Sequence, residues 1–287
     1  MIDAKTKLCA LIGDPVEHSL SPAIHNAAFA ETGLNYVYIA FAVKHVEQAI
    51  AGMRGFGLRG LSVTIPHKMA VMAHLDALDP IAEAIGAVNT VVAEPDGRLV
   101  GYNTDGQGAL QALKAAGAPL DGSQVLLIGS GGAARATAFT LLAQSSIGAL
   151  TIAGIETAQM ERLAEDLRAQ STVDVRTVAA DDKTLREVLP QALIVINASP
   201  VGMSPNVEAT PVEAELLNPE ATVFDIVYNP LETRLLKEAR AKGCRIVSGV
   251  EMFIQQAVAQ FELWTAKKAP QECMRRVVMQ ALTGGGA

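Results

Sequence analysis

Two kinds of residue cluster in this 287-residue chain have types and spacing suited to chemistry. The first is Gly129-Ser130-Gly131-Gly132-Ala133-Ala134, which follows the apolar run VLLI and leads into a helical stretch, AFTLLA. A strand feeding a glycine-rich turn into a helix suits a dinucleotide. Gly129 permits the tight turn, Gly131 lets the backbone approach a pyrophosphate, and Ala134, an allowed variant of the third glycine, keeps helix and sheet close. The helix N-terminus then offers free N–H groups and partial positive charge to the phosphates.

The second kind is a set of short polar segments in the first third: GDPVEHSLSP (13–22), SVTIPHK (62–68), AVNT (87–90) and YNTDG (102–106). Each puts a hydroxyl, amide or charge at a strand end, where α/β proteins place ligands. By spacing alone Lys68 reads as a solvated lysine at a helix start, Asp105 as a helix N-cap, and Ser19 and Ser21 as caps before Pro22. His18, His25 and His67 are scattered and read as structural or solvated. Cys9, Cys244 and Cys273 are too far apart for a metal site or a disulfide framework and read as idle thiols of a reducing cytosol. No metal site is expected.

These segments need elements to carry them. Strands are expected at 8–13, 36–41, 61–65, 88–93 and 98–103, the last two as a hairpin around EPDG. Helices are expected at 22–32 and 44–55, with a helical stretch to about 85 broken by Pro80. A helix over 104–117 leads to the glycine-rich unit, where strands at 150–154, 192–197, 222–227 and 245–249 alternate with helices at 158–170 and 231–243. Near-continuous Val/Ile/Leu runs suit a parallel sheet buried on both faces. Terminal helices at 252–264 and 270–282 pack back on the first domain, and the closing GGGA reads as a frayed end. The fold class is therefore α/β with two domains. Residues 1–104 with 249–287 form a substrate domain with a mixed sheet, and 105–248 form a Rossmann-like, doubly wound cofactor domain. Half the residues are hydrophobic and the formal charge is −7 without basic runs, which argues against nucleic acid. No apolar stretch is long enough for a membrane span, and the N-terminus reads as a first strand, not a signal peptide.

Taken together and in order, the segments HSLSP, SVTIPHK, AVNT, NTDG, GSGGAARA, NASPVGM (197–203), the Asp225-to-Tyr228 strand end and the helix MFIQQAVAQFELW resemble the shikimate dehydrogenase family along almost the whole chain. The resemblance implies reversible reduction of 3-dehydroshikimate to shikimate with a nicotinamide cofactor, in aromatic amino-acid biosynthesis by the chorismate pathway, in the cytoplasm, by a monomer or homodimer. It implies Lys68 and Asp105 as the pair that handles the alcohol proton, a task needing a group within hydrogen-bond reach of the hydroxyl. Ser19 and Ser21, with Tyr228, address the substrate carboxylate, and Thr64, Asn89, Asp105 and Gln256 the ring hydroxyls. The glycine turn, Glu156, Asn197, Ser199, Ile226 and Gly249 contact the cofactor, Gly249 by letting the nicotinamide approach.

The chain departs from the family in three places. NADP-using members carry Asn-Arg-Thr after the second cofactor-domain strand, whereas Ile155 stands at the arginine position here, so the phosphate clamp is missing. Glu156 follows the turn by about 25 residues, near where NAD enzymes set a carboxylate on the ribose. The expectation is NAD preferred, although NADP is the family default. Ser62 replaces a common Asn, and Glu251 a common Gly. Alternatives are an NAD-dependent quinate/shikimate dehydrogenase, a paralogue acting on another cyclic hydroxy acid, and a nicotinamide-binding regulator without turnover. The last has no use for Lys68 and Asp105.

Overall fold

The structure is a computed structural model and describes residues 2–284; the GGGA expectation falls, from residue 285 on, outside the described residues. The chain forms two compact units, one made of the residues up to Thr104 and from Ile254 onward, the other of Asp105–Phe253.

The first unit contains β1 (Lys7–Gly13), α1 (Ser21–Glu31), β2 (Tyr36–Ala42), α2 (Val46–Phe56), β3 (Gly60–Val63), β4 (Ala77–Leu78), α3 (Pro80–Ile85), β5 (Thr90–Ala93) and β6 (Leu99–Tyr102). Among the described residues its sheet runs β2-β1-β3-β5-β6-β4. β2, β1 and β3 are parallel, while β5 is antiparallel to both β3 and β6. The sheet is mixed, and the EPDG hairpin forms as expected. Pro80 opens α3 instead of breaking a helix. Proline at the first helical position loses no needed N–H, and Asp79 Oδ1 caps the turn by accepting from Ile81 N at 3.0 Å. β3 stops at Val63, two residues before the expected end.

The second unit begins with α4 (Thr104–Ala115), whose first residue belongs to the other unit. It continues through β7 (Gln124–Ile128), α5 (Gly132–Gln144), β8 (Ala149–Gly154), α6 (Thr157–Gln170), β9 (Asp174–Ala179), α7 (Asp182–Val188), β10 (Ile194–Asn197), β11 (Thr222–Asp225), α8 (Arg234–Lys242) and β12 (Arg245–Ser248). Among the described residues the sheet is parallel, in the order β12-β11-β10-β7-β8-β9. The chain winds outward from β7 through β8 to β9, then returns to the other side of β7, so β7 and β10 flank a topological switch point. The edge strand β9, DVRTVA, has no counterpart among the expected strands, because its alternating charged and apolar residues do not form an apolar run. β11 ends at Asp225 and not at 227. The Asp225 carboxylate accepts the Val227 N–H at 3.1 Å, an Asx turn that stops the ladder.

Helices α9 (Gly249–Thr265) and α10 (Gln271–Gly284) close the chain. The part of α9 in the first unit supplies its largest buried side chain, Trp264. A Cβ on Gly60 would lie 2.2 Å from the indole, so β3 carries glycine there, and Trp264 Nε1 donates to Val91 O at 3.1 Å. His25, Phe29, Tyr38 and Phe261 complete the aromatic cluster around it. On the edge strand β2, the Asn26 carboxamide bonds both the N–H and C=O of Tyr38 at 2.8 Å, which occupies main-chain groups that another strand would use.

Candidate active site

Sheet topology gathers the polar segments of the first unit at one edge. β1, β3 and β6 run the same way, so the loops after Gly13, Val63 and Tyr102 leave together. β5 runs against them, so Asn89, just before its start, stands at that same edge. Ser19, Ser21, Thr64, Lys68 and Asn89 are therefore carried by neighbouring strand ends. Thr64 and Lys68 are half-buried, and the Lys68 carbonyl accepts from Val88 N at 2.8 Å. That bond ties the loop after β3 to the one before β5. His67 is buried with Nε2 2.6 Å from Val43 O, a structural role. Ser19 Oγ accepts the Ser21 N–H at 3.2 Å, a local turn contact; the N-cap of α1 is Leu20, without a side-chain capping bond, and Ser21 is the first helical residue, so neither serine stands at the cap position read from the sequence.

Asn89 is nearly fully buried, and its side chain is pinned. Its Oδ1 accepts from Thr104 N and Thr90 Oγ1, both at 2.8 Å, and its Nδ2 donates to Thr104 Oγ1 at 3.0 Å. Thr104 is the residue before Asp105, which sits half-buried in the first turn of α4. Gln260 is one turn beyond Gln256 on α9 and also buried. It accepts from Ser62 Oγ at 2.9 Å and donates to Thr90 Oγ1 at 2.9 Å. Tyr38 Oη donates to Ser62 Oγ at 2.7 Å, and burial pushes its phenol pKa up. Sequence reasoning assigned nothing to Tyr38, Thr90, Thr104 or Gln260. The available signal was a glutamine four residues after Gln256 on an otherwise apolar face, the same side of a helix.

His25 lies against this network, stacked on Tyr38 with ring centroids 4.6 Å apart. Among the described residues neither ring nitrogen has a hydrogen-bond partner, and burial pushes the imidazole down to about 3. Gln260 is near enough to oppose that shift but completes no hydrogen bond of acceptable geometry.

In the second unit every expected cofactor residue lies at the carboxyl edge of the parallel sheet. Gly129 follows β7, Glu156 follows β8, Asn197 and Ser199 sit at the end of β10, Ile226 after β11, and Gly249 after β12; Tyr228, expected at the substrate carboxylate, also follows β11. Two of these glycines are required by the protein itself. Gly129 has φ +107°, and a Cβ there would stand 2.9 Å from Ala198 O, across the switch point. A Cβ on Gly249 would stand 2.2 Å from Ile226 O. Gly131 and Gly132 differ. Neither has a positive φ, and a Cβ on either would meet no protein atom within 4 Å. Gly131 is the N-cap of α5 and, among the described residues, makes no side-chain capping bond there. Small residues where neither backbone nor packing demands them, beside open helix donors, fit a pyrophosphate approaching the main chain. Ala134 is fully buried, as close helix–sheet contact needs. Ser130 Oγ donates to Gln159 Oε1 at 3.0 Å, joining the turn to α6.

Asn197 is fully buried, and its amide holds the loop after β10. Nδ2 donates to Asp225 Oδ1 at 2.9 Å and Val201 O at 3.1 Å, while Oδ1 accepts from Ser199 N and Oγ at 3.1 and 2.6 Å. Burial pushes the Asp225 carboxyl up, against hydrogen bonds from Thr233, the Val227 N–H and Asn197. Ile155 is 84% exposed and Glu156 is exposed beside it, at the start of α6. Tyr228 stacks on Phe253 with centroids 5.5 Å apart. Among the described residues no group of three or more acidic, His or Cys side chains is placed to hold a metal ion, and no helix is long and apolar enough to cross a membrane.

Residues 11–91 match the model of the shikimate dehydrogenase substrate binding domain, and 249–279 that of the shikimate 5'-dehydrogenase C-terminal domain. The chain is 45% identical to the shikimate dehydrogenase (NADP(+)) of Moorella thermoacetica, covering 100% of this chain and 98% of that one. Among solved structures, shikimate 5-dehydrogenase from Listeria monocytogenes in complex with shikimate and NAD superposes with a TM-score of 0.93 at 37% identity, covering 96% of this chain and 98% of that one. Quinate dehydrogenase from Corynebacterium glutamicum in complex with NAD follows with a TM-score of 0.89 at 31% identity, covering 96% and 99%.

Proposed function

The chain belongs to the shikimate dehydrogenase family, and we propose that it reversibly reduces 3-dehydroshikimate to shikimate with a nicotinamide cofactor. The observation that carries this reading is the strand-end array of the first unit. Hydroxyls, a pinned amide and a half-buried lysine converge at one sheet edge. A small polyhydroxylated carboxylate is the ligand such donors suit. Ser19 and Ser21, with Tyr228, hold its carboxylate, and Thr64, Asn89 and Gln256 its ring hydroxyls. A site that hydrogen-bonds each hydroxyl rejects analogues lacking one, because its own buried groups would be left unpaired. Lys68 exchanges the proton of the reacting hydroxyl, and Asp105 accepts a hydrogen bond from that hydroxyl and orients it.

The second unit holds the dinucleotide by the N–H groups of Gly131 to Ala133 and the α5 N-terminus. Asn197 acts indirectly, by holding the loop of Ser199, and Gly249 lets β11 and α9 meet behind Ile226. When bound, the nicotinamide supplies or takes the hydride. We assign NAD as the preferred coenzyme. Ile155 offers no cation to a 2′-phosphate, and the exposed Glu156 would repel one while accepting from a ribose hydroxyl. The relatives named for NADP(+) and the structures holding NAD show that the family accommodates both coenzymes.

One kinetic panel tests these assignments: shikimate and quinate, each with NAD and NADP, for the wild type and Lys68→Ala. Shikimate with NAD is expected to give the highest kcat/KM. Lys68→Ala is expected to cost kcat about 10²–10⁴-fold with the fold intact. A strong NADP preference overturns the coenzyme assignment, quinate turning over faster than shikimate overturns the substrate, and undiminished turnover by Lys68→Ala overturns its role.

A further inference from the structure

The hydrogen bonds around Gln260 form a directed relay. Tyr38 Oη donates to Ser62 Oγ, Ser62 Oγ to Gln260 Oε1, Gln260 Nε2 to Thr90 Oγ1, and Thr90 Oγ1 to Asn89 Oδ1. Each of these residues is buried. The Ser21 side chain lies near the same Tyr38 phenol. The relay thus starts beside one residue assigned to the substrate carboxylate and ends on one assigned to its ring hydroxyls.

We infer that Gln260 is a positioning residue for substrate recognition, holding Asn89 through Thr90 on one side while Ser62 and Tyr38 anchor it on the other. This inference rests on the substrate assignment made above.

The physical argument is one of polarity. A hydroxyl donates one hydrogen bond, so what it donates to fixes what remains free to accept. Ser62 and Thr90 sit directly opposite each other on β3 and β5, too short to define each other's direction. A carboxamide laid across them has a distinct acceptor and donor end. Its oxygen takes the Ser62 proton and its N–H fills a Thr90 lone pair, leaving the Thr90 proton for Asn89 Oδ1 at 2.8 Å, a closer contact than Thr104 Oγ1 at 3.2 Å. The Asn89 oxygen is thereby met by Thr90 Oγ1 as well as Thr104 N, while its N–H₂ donates to Thr104 Oγ1. The buried glutamine would otherwise be a poor choice on an apolar helix face, since an unpaired buried polar group costs about 1–3 kcal/mol.

The test is steady-state kinetics of the full-length enzyme with shikimate and NAD, on Gln260→Met, Thr90→Val and Thr90→Ser, each with a thermal melt. Gln260→Met keeps length and removes the bridging amide. Thr90→Val keeps shape and removes the hydroxyl that Thr90→Ser retains. The expected result is a shikimate KM raised about tenfold in Gln260→Met and Thr90→Val, the size of one net hydrogen bond. The NAD KM should change less than about twofold, and Thr90→Ser should stay within about twofold of wild type. Unchanged shikimate KM in the first two variants overturns the inference, as does a loss shared equally by Thr90→Ser or by the NAD KM. Where Gln260→Met does not fold, the Thr90 pair decides alone. A wild type without activity on shikimate removes the substrate assignment and this inference with it; an active wild type whose variants keep their KM removes the inference only.

Discussion

The carboxyl edges of the two sheets prepare for ligands in opposite ways. In the first unit the strand ends carry side chains, and those side chains are tied to one another: Asn89 to Thr104 and Thr90, and Gln260 to Thr90 and Ser62. In the second unit the strand ends carry main chain, shaped by glycines and by an Asn197–Asp225 pair that holds a loop. Side-chain recognition distinguishes one hydroxyl pattern from another, and it demands a preorganised network. Main-chain recognition suits a phosphate group common to many cofactors, and it demands only that nothing project. The contrast predicts that the first unit is sensitive to loss of packing and polarity, while the second is sensitive to added atoms.

The largest effect is expected for Trp264→Ala. The indole is almost fully buried, lies against Gly60 and bonds Val91 O, so truncation should cost about 3–5 kcal/mol and lower Tm by about 10 °C. A thermal melt that moves by less than about 3 °C would mean that the aromatic cluster does not hold the first unit together.

A smaller effect sets pH dependence. His25 is neutral in the fold because burial pushes its imidazole down to about 3, whereas an unfolded histidine titrates near its model value of 6.5. Between those values the unfolded chain binds the extra proton, so stability is fully present above about 6.5 and falls as pH drops through the window, by at most about 1.4 kcal/mol per pH unit. His25→Phe keeps the stack on Tyr38 and removes two unpaired nitrogens. It should therefore be at least as stable as wild type near neutrality, with an advantage that grows as pH falls to about 4.5. Parallel pH profiles of Tm for the two proteins would show instead that the imidazole is hydrated or paired in solution.

The sequence made the second unit's turn legible because its signal is local: an apolar strand, a glycine-rich turn and a helix within twenty residues or so. The parallel alternation was legible for the same reason. Pro80 was misread because a proline that interrupts a helical pattern and one that opens a new helix look alike until Asp79 is recognised as the cap. β9 escaped because an edge strand need not be apolar on both faces. The strand-end segments could be found, but their internal wiring could not. Ser62 and Gln260 are far apart in sequence and meet only because α9 returns to β3 and β5. The glutamine's reach across two strands is a tertiary fact, and a helix pattern alone gives a buried polar residue no partner.

The smallest expected change in stability sharpens the comparison most. Gly131 has φ −74° and open space where a Cβ would go, so Gly131→Ala should leave stability within about 0.5–1 kcal/mol of wild type, with a slight gain from lower unfolded-state entropy. Its Cβ would nonetheless stand where the pyrophosphate must approach, so NAD affinity measured by titration should fall by an order of magnitude or more while the shikimate KM is spared. Gly249→Ala supplies the contrast, because there the added atom meets the Ile226 carbonyl and the penalty falls on the fold before any ligand arrives. If Gly131→Ala binds NAD as well as wild type, the main chain of this turn is not what the coenzyme touches, and the distinction between the two sheet edges fails at its better-defined end.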